Sequence, residues 1–205
     1  MAWHGSAGLG CAGHGKAGRG VVRVIVPYVP GLLHPRVVPA IVAQGYEPEA
    51  IECVNIVGHP RSYPRILRDA FLSGDDFLIV EHDNESRPGF LDDLRDCPEP
   101  WCFFAYDFRV TFEDAVQQPT VMGAPLGVDF APLGHTRFRG GLGRQIESTV
   151  TSEFFLATWV GRDTFVSGAL RALGYKAHRH PGKAFHHHPY NRAVSEPADD
   201  LLPMS

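Results

Sequence analysis

Short, continuous runs of apolar residues recur along the chain and are rich in β-branched and aromatic side chains. Runs of this length, bounded by polar or turn-forming residues, are typical of strands buried on both faces of a sheet. They predict four strands, over residues 21–26, 50–57, 77–80 and 101–106.

Other segments place apolar residues three or four positions apart, which is the spacing of one helix face. Ser62 is a suitable N-cap for a helix that ends at Ser73-Gly74, and a second such pattern covers residues 165–173. Residues 32–44 show the same spacing, but Pro39 predicts a kinked or broken helix there. The order of strands and helices predicts an α/β fold with a mostly parallel central sheet and helices on both faces.

The chain begins with a segment rich in glycine and alanine. Two phosphate-loop patterns can be placed in it: Gly8-x-Gly10-x-x-Gly13, and a Walker-like pattern that ends in Ala17 where a hydroxyl is needed. Neither is preceded by a strand and followed by a helix, as both motifs require. The predicted organisation is a flexible tail, a single domain and a second tail, over residues 1–20, 21–190 and 191–205.

Composition narrows the function classes. The 205 residues carry a formal net charge of -4, which argues against the broad basic surface of a non-specific nucleic-acid binder. No apolar run approaches the roughly 20 residues of a membrane-spanning helix, and the first residues lack the pattern of a signal peptide. The four cysteines include no Cys-x-x-Cys pair. We therefore expect a protein without a membrane span in a reducing cytoplasm.

Two acids and an imidazole, Glu81-His82-Asp83, directly follow the third predicted strand. Carboxylates two positions apart at a strand end can point the same way. Mg²⁺ and Mn²⁺ prefer such oxygen ligands, Mn²⁺ also accepts imidazole, and either ion can stabilise the charge of a departing diphosphate. Acids after a strand also commonly cap a turn, and these residues alone leave both interpretations open.

The wider segment GDDFLIVEHDNESRPGFLDDL resembles the stretch of family-2 and related GT-A glycosyltransferases that carries the Asp-x-Asp metal motif. There, a small residue and an acid precede an apolar strand, the acid pair follows it, and a "PGFL" helix comes next. Residues 24–28 are similar to the first strand of that family, whose end contacts the nucleotide. The resemblance covers residues 21–106. It implies a single Rossmann-like GT-A domain that takes a nucleotide-sugar, with a UDP-sugar as first choice, and Mn²⁺ or Mg²⁺.

The resemblance also implies roles for individual residues. Glu81 and Asp83 would hold the metal, although Glu81 stands where the family usually has Asp. The donor would be contacted by further residues at the strand ends, namely Pro27, Tyr28, Asn55 and His82. Asn55 is a weak substitute for the aspartate that usually recognises the nucleobase, so the base stays open.

The second half resembles the C-terminal part of small GT-A transferases, where a "W…D…GY..H.H.P….H.H" pattern recurs. In related enzymes a late histidine completes the metal site, which makes His186 and His188 candidate ligands. In an extended segment these two face one way and His187 the other. A separate zinc site, or surface histidines without a ligand, are the alternatives. We expect His178 and His180 to line the acceptor edge or to be exposed.

An inverting transferase needs a general base beside the acceptor hydroxyl. Asp163 is the first choice, with Glu147 and Glu153 as fallbacks. Aspartate is also a favoured helix N-cap, so a purely structural role for Asp163 remains open.

Residues 134–144 combine three arginines with several glycines and predict a mobile loop. Its arginines, Arg144 in particular, would reach the donor's diphosphate. A solvated loop with incidental charge is the alternative.

Together these features predict a metal-dependent glycosyltransferase that moves a sugar from a nucleotide-diphosphate sugar to an acceptor hydroxyl, with inversion and a carboxylate base. The acceptor stays open among protein, glycan, lipid and modified nucleic acid base. A metal-dependent hydrolase or phosphoesterase would use the same acids and histidines around zinc or two metals. A non-catalytic GT-A-like binding module is the third possibility.

Overall fold

The protein is described by a computed structural model. It covers residues 22–57, 62–108, 111–112, 115–116, 120–122, 131–143, 145 and 162–187. The two predicted tails lie outside the described residues, so the domain limits of 21–190 stay a prediction.

Ten strands and four α-helices are described. The strands are β1 (Arg23–Tyr28), β2 (Ile51–Asn55), β3 (Phe77–Val80), β4 (Asn84–Glu85), β5 (Trp101–Phe108), β6 (Thr111–Phe112), β7 (Ala115–Val116), β8 (Thr120–Met122), β9 (His135–Phe138) and β10 (His178–His186). The helices are α1 (Val37–Val42), α2 (Ser62–Ser73), α3 (Phe90–Asp96) and α4 (Arg162–Ala172), and a 3-10 turn covers Pro48–Ala50.

The central sheet has the order β2-β1-β3-β9-β5-β10-β4, with β8 paired to the end of β5, while β6 and β7 form a separate hairpin. β1 runs parallel to β2 and β3, and β10 runs parallel to β5. β9 is antiparallel to both β3 and β5, and β4 is antiparallel to β10. The α/β class is confirmed, but the prediction of a mostly parallel sheet is wrong, because β9 enters the centre of the sheet with reversed direction.

Alternate residues of the central strands belong to two separate cores. In β3, Phe77 and Ile79 pack on the face covered by α2 and α4, and Leu78 and Val80 pack on the face covered by α1 and α3. All four side chains are buried, as expected for a strand covered on both faces. α1 is shorter than the predicted segment 32–44 and is not broken at Pro39, which lies in its first turn, where the missing N–H has no helical partner to lose.

β9 is a strand of mainly polar residues at the centre of the sheet. His135, Thr136 and Arg137 are fully buried between β3 and β5. Thr136 Oγ1 donates to the carbonyl of Cys102 at 2.9 Å, and His135 Nε2 lies 3.2 Å from Ser86 Oγ. These contacts offset the cost of removing polar groups from water. The mobile loop predicted over residues 134–144 is therefore wrong for 135–138, and Arg144 lies outside the described residues.

Arg137 and Arg139 lie at one end of the sheet, and the edge at which the donor's diphosphate is predicted to bind is at the other end. Arg137 Nε donates to the carbonyl of Leu94 at 2.9 Å, and its Nη2 donates to the carbonyl of Cys97. Arg139 Nη2 donates to the same Cys97 oxygen at 2.7 Å. Both guanidinium groups thus bind the carbonyls at the end of α3, where cations are favourable.

The buried imidazole of His135 makes stability depend on pH. Burial lowers its pKa to about 3, because the charged form loses its hydration. A histidine whose folded pKa is lowered stabilises the fold above its unfolded pKa of about 6.5 and loses that contribution as the pH falls. We expect this group alone to lower the free energy of unfolding by about 2 kcal/mol between about pH 7 and about pH 5.

Urea unfolding of wild type and His135→Gln at these two pH values measures this contribution. The variant has no group that takes up the proton, so its free energy of unfolding should fall less than that of the wild type. Equal decreases in the two proteins would contradict the assignment.

The strand directions define one functional edge. β1, β2, β3, β5 and β10 all end at the same side of the sheet, which in α/β proteins is where ligands bind. No helix in the described part of the chain is long and apolar enough to cross a bilayer.

Candidate functional site

Asp83 and His186 meet at this edge, although 103 positions separate them in the chain. A turn closed by the Asn84 N–H and the Glu81 carbonyl, 2.9 Å apart, follows β3. It leads into β4, where Asn84 pairs with His186 of β10. This register leaves Asp83 Oδ2 and His186 Nε2 3.2 Å apart, with both side chains largely buried.

Neighbouring groups fix the two carboxylates in place. Asn84 is fully buried, and its Nδ2 donates to Asp83 Oδ1 at 3.1 Å. Tyr63 of α2 donates its hydroxyl to Glu81 Oε1 at 2.8 Å, and the Glu81 N–H donates to the carbonyl of Gly134 at 3.0 Å. Preorganised side chains of this kind are what a binding site needs. We refer to Glu81, Asp83 and His186 as the Asp83 group.

The pKa of the Asp83 carboxyl lies below its ordinary value. Burial acts to raise this pKa, but the hydrogen bond and charge of His186, together with the charge of His82, outweigh it. Asp83 is therefore ionised at neutral pH and is ready to bind a cation.

The donor atoms of Asp83 and His186 fit a divalent metal. Two neighbouring ligands on an octahedral ion with bonds of about 2.1 Å are about 3 Å apart, close to the 3.2 Å between Asp83 Oδ2 and His186 Nε2. One carboxylate and one imidazole suit Mn²⁺ better than Mg²⁺. Glu81 would have to move closer to join them, because, within the described part of the chain, these three residues do not form a set whose donor atoms all lie within 4.8 Å of one another.

A second set of donors lies beside the first and comprises His34, Glu85 and His187, here called the His34 group. His187 Nε2 is 2.7 Å from Glu85 Oε2. The rings of His34 and His187 are stacked with centroids 3.5 Å apart and an interplanar angle of 7°. One ligand atom from each member lies within 4.8 Å of the others.

This second group was missed from the sequence. The alternation along β10 turns His187 to the side opposite His186, where Glu85 meets it. His34 comes from the β1–α1 loop, and no sequence pattern links that loop to the end of β10. The alternation was therefore an available signal for the direction of His187, but none existed for Glu85 or His34.

The pKa of His34 is lowered, first by burial and then by the neighbouring His187. Two imidazoles in face-to-face contact repel each other when both are charged. His34 is therefore kept in its neutral form, which is the form that binds metals.

The predicted donor contacts occupy the same edge. Tyr28 ends β1 and pairs in register with Asn55 at the end of β2. Asn55 is exposed, and its Oδ1 accepts the N–H of Val57 at 2.8 Å in a local turn. Pro27 is buried within β1, and the carbonyl of His82 accepts the N–H of His34 at 2.8 Å.

Four further predicted residues are described only in part or not at all. Asp163 is the second residue of α4, but its side chain lies outside the described residues. His188 also lies outside them, as do the fallback bases Glu147 and Glu153. Their proposed roles stay predictions.

His178 and His180 lie away from the proposed acceptor edge. His178 pairs with Cys102 at the start of β5, and the His180 ring stacks on Phe104 with centroids 5.0 Å apart. The beginning of β10 is at the opposite end of the sheet from Asp83, so neither histidine lines that edge; His178 is exposed, which was the alternative expectation, and His180 is half-buried.

Known structures share the fold at low sequence identity. No family model matches the sequence, and no curated relative is detected at the sequence level. A197 from STIV superposes with a TM-score of 0.51 and 14% identity over 80% of this chain and 85% of that chain. 2-C-methyl-D-erythritol 4-phosphate cytidylyltransferase from Thermus thermophilus gives a TM-score of 0.49 and 12% identity, over 82% of this chain and 93% of that one.

CTP:phosphocholine cytidylyltransferase from Streptococcus pneumoniae gives a TM-score of 0.45 and 12% identity, over 80% of this chain and 91% of that one. The similarity to A197 indicates a shared fold and carries no information about activity. The two cytidylyltransferases superpose less well and support no inference about this chain.

Proposed function

We propose that this protein is a metal-dependent glycosyltransferase that moves a sugar from a nucleotide-diphosphate sugar to an acceptor hydroxyl. The observation that carries the proposal is the contact between Asp83 Oδ2 and His186 Nε2 at 3.2 Å, at the edge where β1, β3 and β10 end. The acid pair that resembles an Asp-x-Asp motif thus has an imidazole from the last strand beside it, and Asp83 is ionised at neutral pH.

Each strand end has a part in donor binding under this proposal. Tyr28 and Asn55, side by side at the ends of β1 and β2, contact the nucleoside. Asp83, Glu81 and His186 hold Mn²⁺ or Mg²⁺, which supplies charge stabilisation for the departing diphosphate. The Tyr63 hydroxyl keeps Glu81 oriented for this task. A UDP-sugar is the first choice of donor.

Residues outside the Asp83 group are proposed to activate the acceptor and to complete the contacts with the donor. Asp163, at the start of α4, is the proposed base that takes the proton of the acceptor hydroxyl in an inverting reaction. Arg144 and His188 are the proposed additional contacts to the diphosphate and the metal. The acceptor is a hydroxyl of a protein, glycan, lipid or modified nucleic acid base, and the cytoplasm is the proposed location.

The test is nucleotide release from a panel of UDP-, GDP-, TDP- and CDP-sugars, with Mn²⁺, with Mg²⁺ and with a chelator. Transferases commonly hydrolyse their donor slowly, so no acceptor need be known. Release of one nucleotide that depends on the metal supports the proposal. If no donor in the panel releases nucleotide but the protein cleaves phosphate esters, the proposal is overturned in favour of a hydrolase. If neither nucleotide release nor phosphate-ester cleavage is detected, a non-catalytic module is favoured.

Gly134 makes a second, sharper test of the Asp83 group. A Cβ at this position would lie 2.7 Å from Asn84 Nδ2, 2.8 Å from Tyr106 Cε1 and 3.0 Å from Glu81 Oε2. We expect Gly134→Ala to displace the Asn84 amide and the Glu81 carboxylate, lowering nucleotide release by about 10-fold or more. The free energy of unfolding should fall by about 1–3 kcal/mol.

Gly141→Ala is the matched control, because a Cβ there would have nothing within 4 Å. It should leave both nucleotide release and thermal unfolding close to wild type. If both variants release nucleotide at the wild-type rate, the Asn84 amide and the Glu81 carboxylate are not part of the donor site.

The His34 group favours a second candidate, a metal-dependent hydrolase or phosphoesterase. Two imidazoles and one glutamate form the ligand set of several zinc hydrolases, in which the fourth position holds the attacking water. This candidate predicts zinc-dependent cleavage of a generic phosphate ester without any nucleotide-sugar. It also predicts that Glu85→Gln abolishes the cleavage, whereas the transferase proposal assigns that effect to Asp83.

A further inference from the structure

We propose that His34, Glu85 and His187 form a second cation site, of the type that takes Zn²⁺, next to the Asp83 group and separate from it. The three side chains come from three elements: the β1–α1 loop, β4 and the residue after β10. Their ligand atoms lie within 4.8 Å of one another. The inference does not depend on the proposed transfer reaction.

Backbone hydrogen bonds hold two of the three ligands in place. The His34 N–H donates to the carbonyl of His82 at 2.8 Å, and the His187 N–H donates to the carbonyl of Asp83 at 2.7 Å. Two consecutive carbonyls after β3 therefore fix both histidines, and β4–β10 pairing fixes Glu85 opposite Phe185. The site is assembled by the same turn that positions Asp83.

The chemistry of the donors selects the ion. Two imidazoles and one carboxylate match Zn²⁺ in four-coordinate geometry, with a fourth position left for water or a ligand. Ca²⁺ and Mg²⁺ prefer oxygen donors and would bind this set weakly. Ligands on a tetrahedral zinc with bonds of about 2.0–2.1 Å are about 3.3 Å apart, so binding draws the donors together and rotates the two rings out of their parallel stack.

The rings of His34 and His187 lie close together, with centroids 3.5 Å apart, and Glu85 Oε2 lies 2.7 Å from His187 Nε2. A bound zinc would replace this stack and tie the β1–α1 loop to the last strand.

Zinc binding by the full chain tests the proposal, with Zn²⁺ alone as the probe and a chromophoric chelator as competitor. Cys97, Cys102 and His180 also bring their donor atoms within 4.8 Å of one another, so total zinc does not identify the site. The readout is the difference in tightly bound zinc between wild type and single variants. Co²⁺ substitution adds a visible spectrum that distinguishes four-coordinate from six-coordinate ions.

We expect His34→Ala and Glu85→Gln each to lose one tightly bound zinc, with affinity at that site lowered by about 100-fold or more, since even outer-shell changes cost about 10–100-fold. Glu85→Gln preserves the shape of the side chain, so it still tests the site if His34→Ala destabilises the β1–α1 loop. Cys97→Ser and Asp83→Asn should retain this zinc. Retention of wild-type zinc by both His34→Ala and Glu85→Gln, or its loss in Asp83→Asn, would overturn the proposal of a separate site.

Failure of this proposal is distinguishable from failure of the proposed function. Zinc binding at the His34 group is measured in the absence of a nucleotide-sugar, and metal-dependent nucleotide release is measured with Mn²⁺ in the absence of zinc. A protein that releases nucleotide with Mn²⁺ but binds no zinc through His34 refutes only the second site. A protein that binds zinc there but releases no nucleotide refutes only the transferase.

Discussion

Replacement of Asp83 by alanine is expected to lower metal-dependent nucleotide release by about 100- to 1000-fold, the usual cost of removing one group that stabilises charge in the transition state. Asp83 is the central member of its group: it contacts His186 at 3.2 Å and receives the Asn84 amide at 3.1 Å. Its loss removes the ionised ligand and leaves Asn84 Nδ2 without its acceptor.

The measurement is the initial rate of nucleotide release at saturating donor, with Mn²⁺ varied so that the apparent metal affinity is obtained separately. Asp69→Asn is the matched control, because Asp69 is an exposed acid on α2 that pairs only loosely with Arg68 at 3.6 Å. It should release nucleotide at the wild-type rate. A fall of less than about 10-fold in Asp83→Ala, with the fold intact, would contradict a metal role for this carboxylate.

His186 allows the metal interpretation to be separated from simple packing. If Asp83 and His186 hold one ion, a variant with both residues replaced by alanine should lose little more activity than Asp83→Ala alone. The effects of removing two ligands that act together on one ion are strongly non-additive. His186 also packs against the Tyr106 ring with centroids 4.9 Å apart. Additive losses would indicate that its contribution comes from this packing instead.

Much of the fold could be predicted from the sequence, because in β3 and α2 the residues of the apolar pattern are the ones that are buried. β3 is a continuous apolar run, and its four residues are buried by helices on both faces. α2 ends as predicted, with Gly74 at a φ of 78° after its last residue. The same reasoning put Asp83 at a strand end, and the family resemblance supplied His186, which the structure brings to it.

The rest of the site could not be predicted, because polar residues are buried at positions where a polar sequence pattern predicts exposed side chains. β9 reads as a charged loop, yet His135, Thr136 and Arg137 are buried, and each makes at least one hydrogen bond to a distant segment. The pairing of Glu85 with His187 depends on the register between β4 and β10, which no local signal sets. Burial of polar groups is decided by partners far along the chain, and a single sequence does not reveal them.

Replacement of Arg137 by alanine is expected to have the largest effect on stability, a loss of about 3 kcal/mol or more in the free energy of unfolding. The fully buried guanidinium donates to the carbonyls of Leu94 and Cys97 and lies 4.0 Å from Asp76. Alanine would leave the Leu94 carbonyl without this donor and open a cavity between β9 and α3. Urea unfolding at neutral pH measures the loss.

Two further variants show which part of Arg137 matters. Arg137→Met fills most of the space without donating, so it should recover the cavity cost. It should still lose about 1–3 kcal/mol, because the Leu94 carbonyl loses its N–H donor, whereas the Cys97 carbonyl keeps the one from Arg139. Arg95→Ala is the exposed control, since its ion pairs with Asp92 and Asp96 lie in solvent and contribute at most about 1 kcal/mol. If Arg137→Ala costs no more than Arg95→Ala, the buried guanidinium is not what holds a polar strand inside the sheet. If Arg137→Met is as stable as wild type, packing rather than hydrogen bonding accounts for its role, since an apolar side chain of similar length can replace a buried charge without loss.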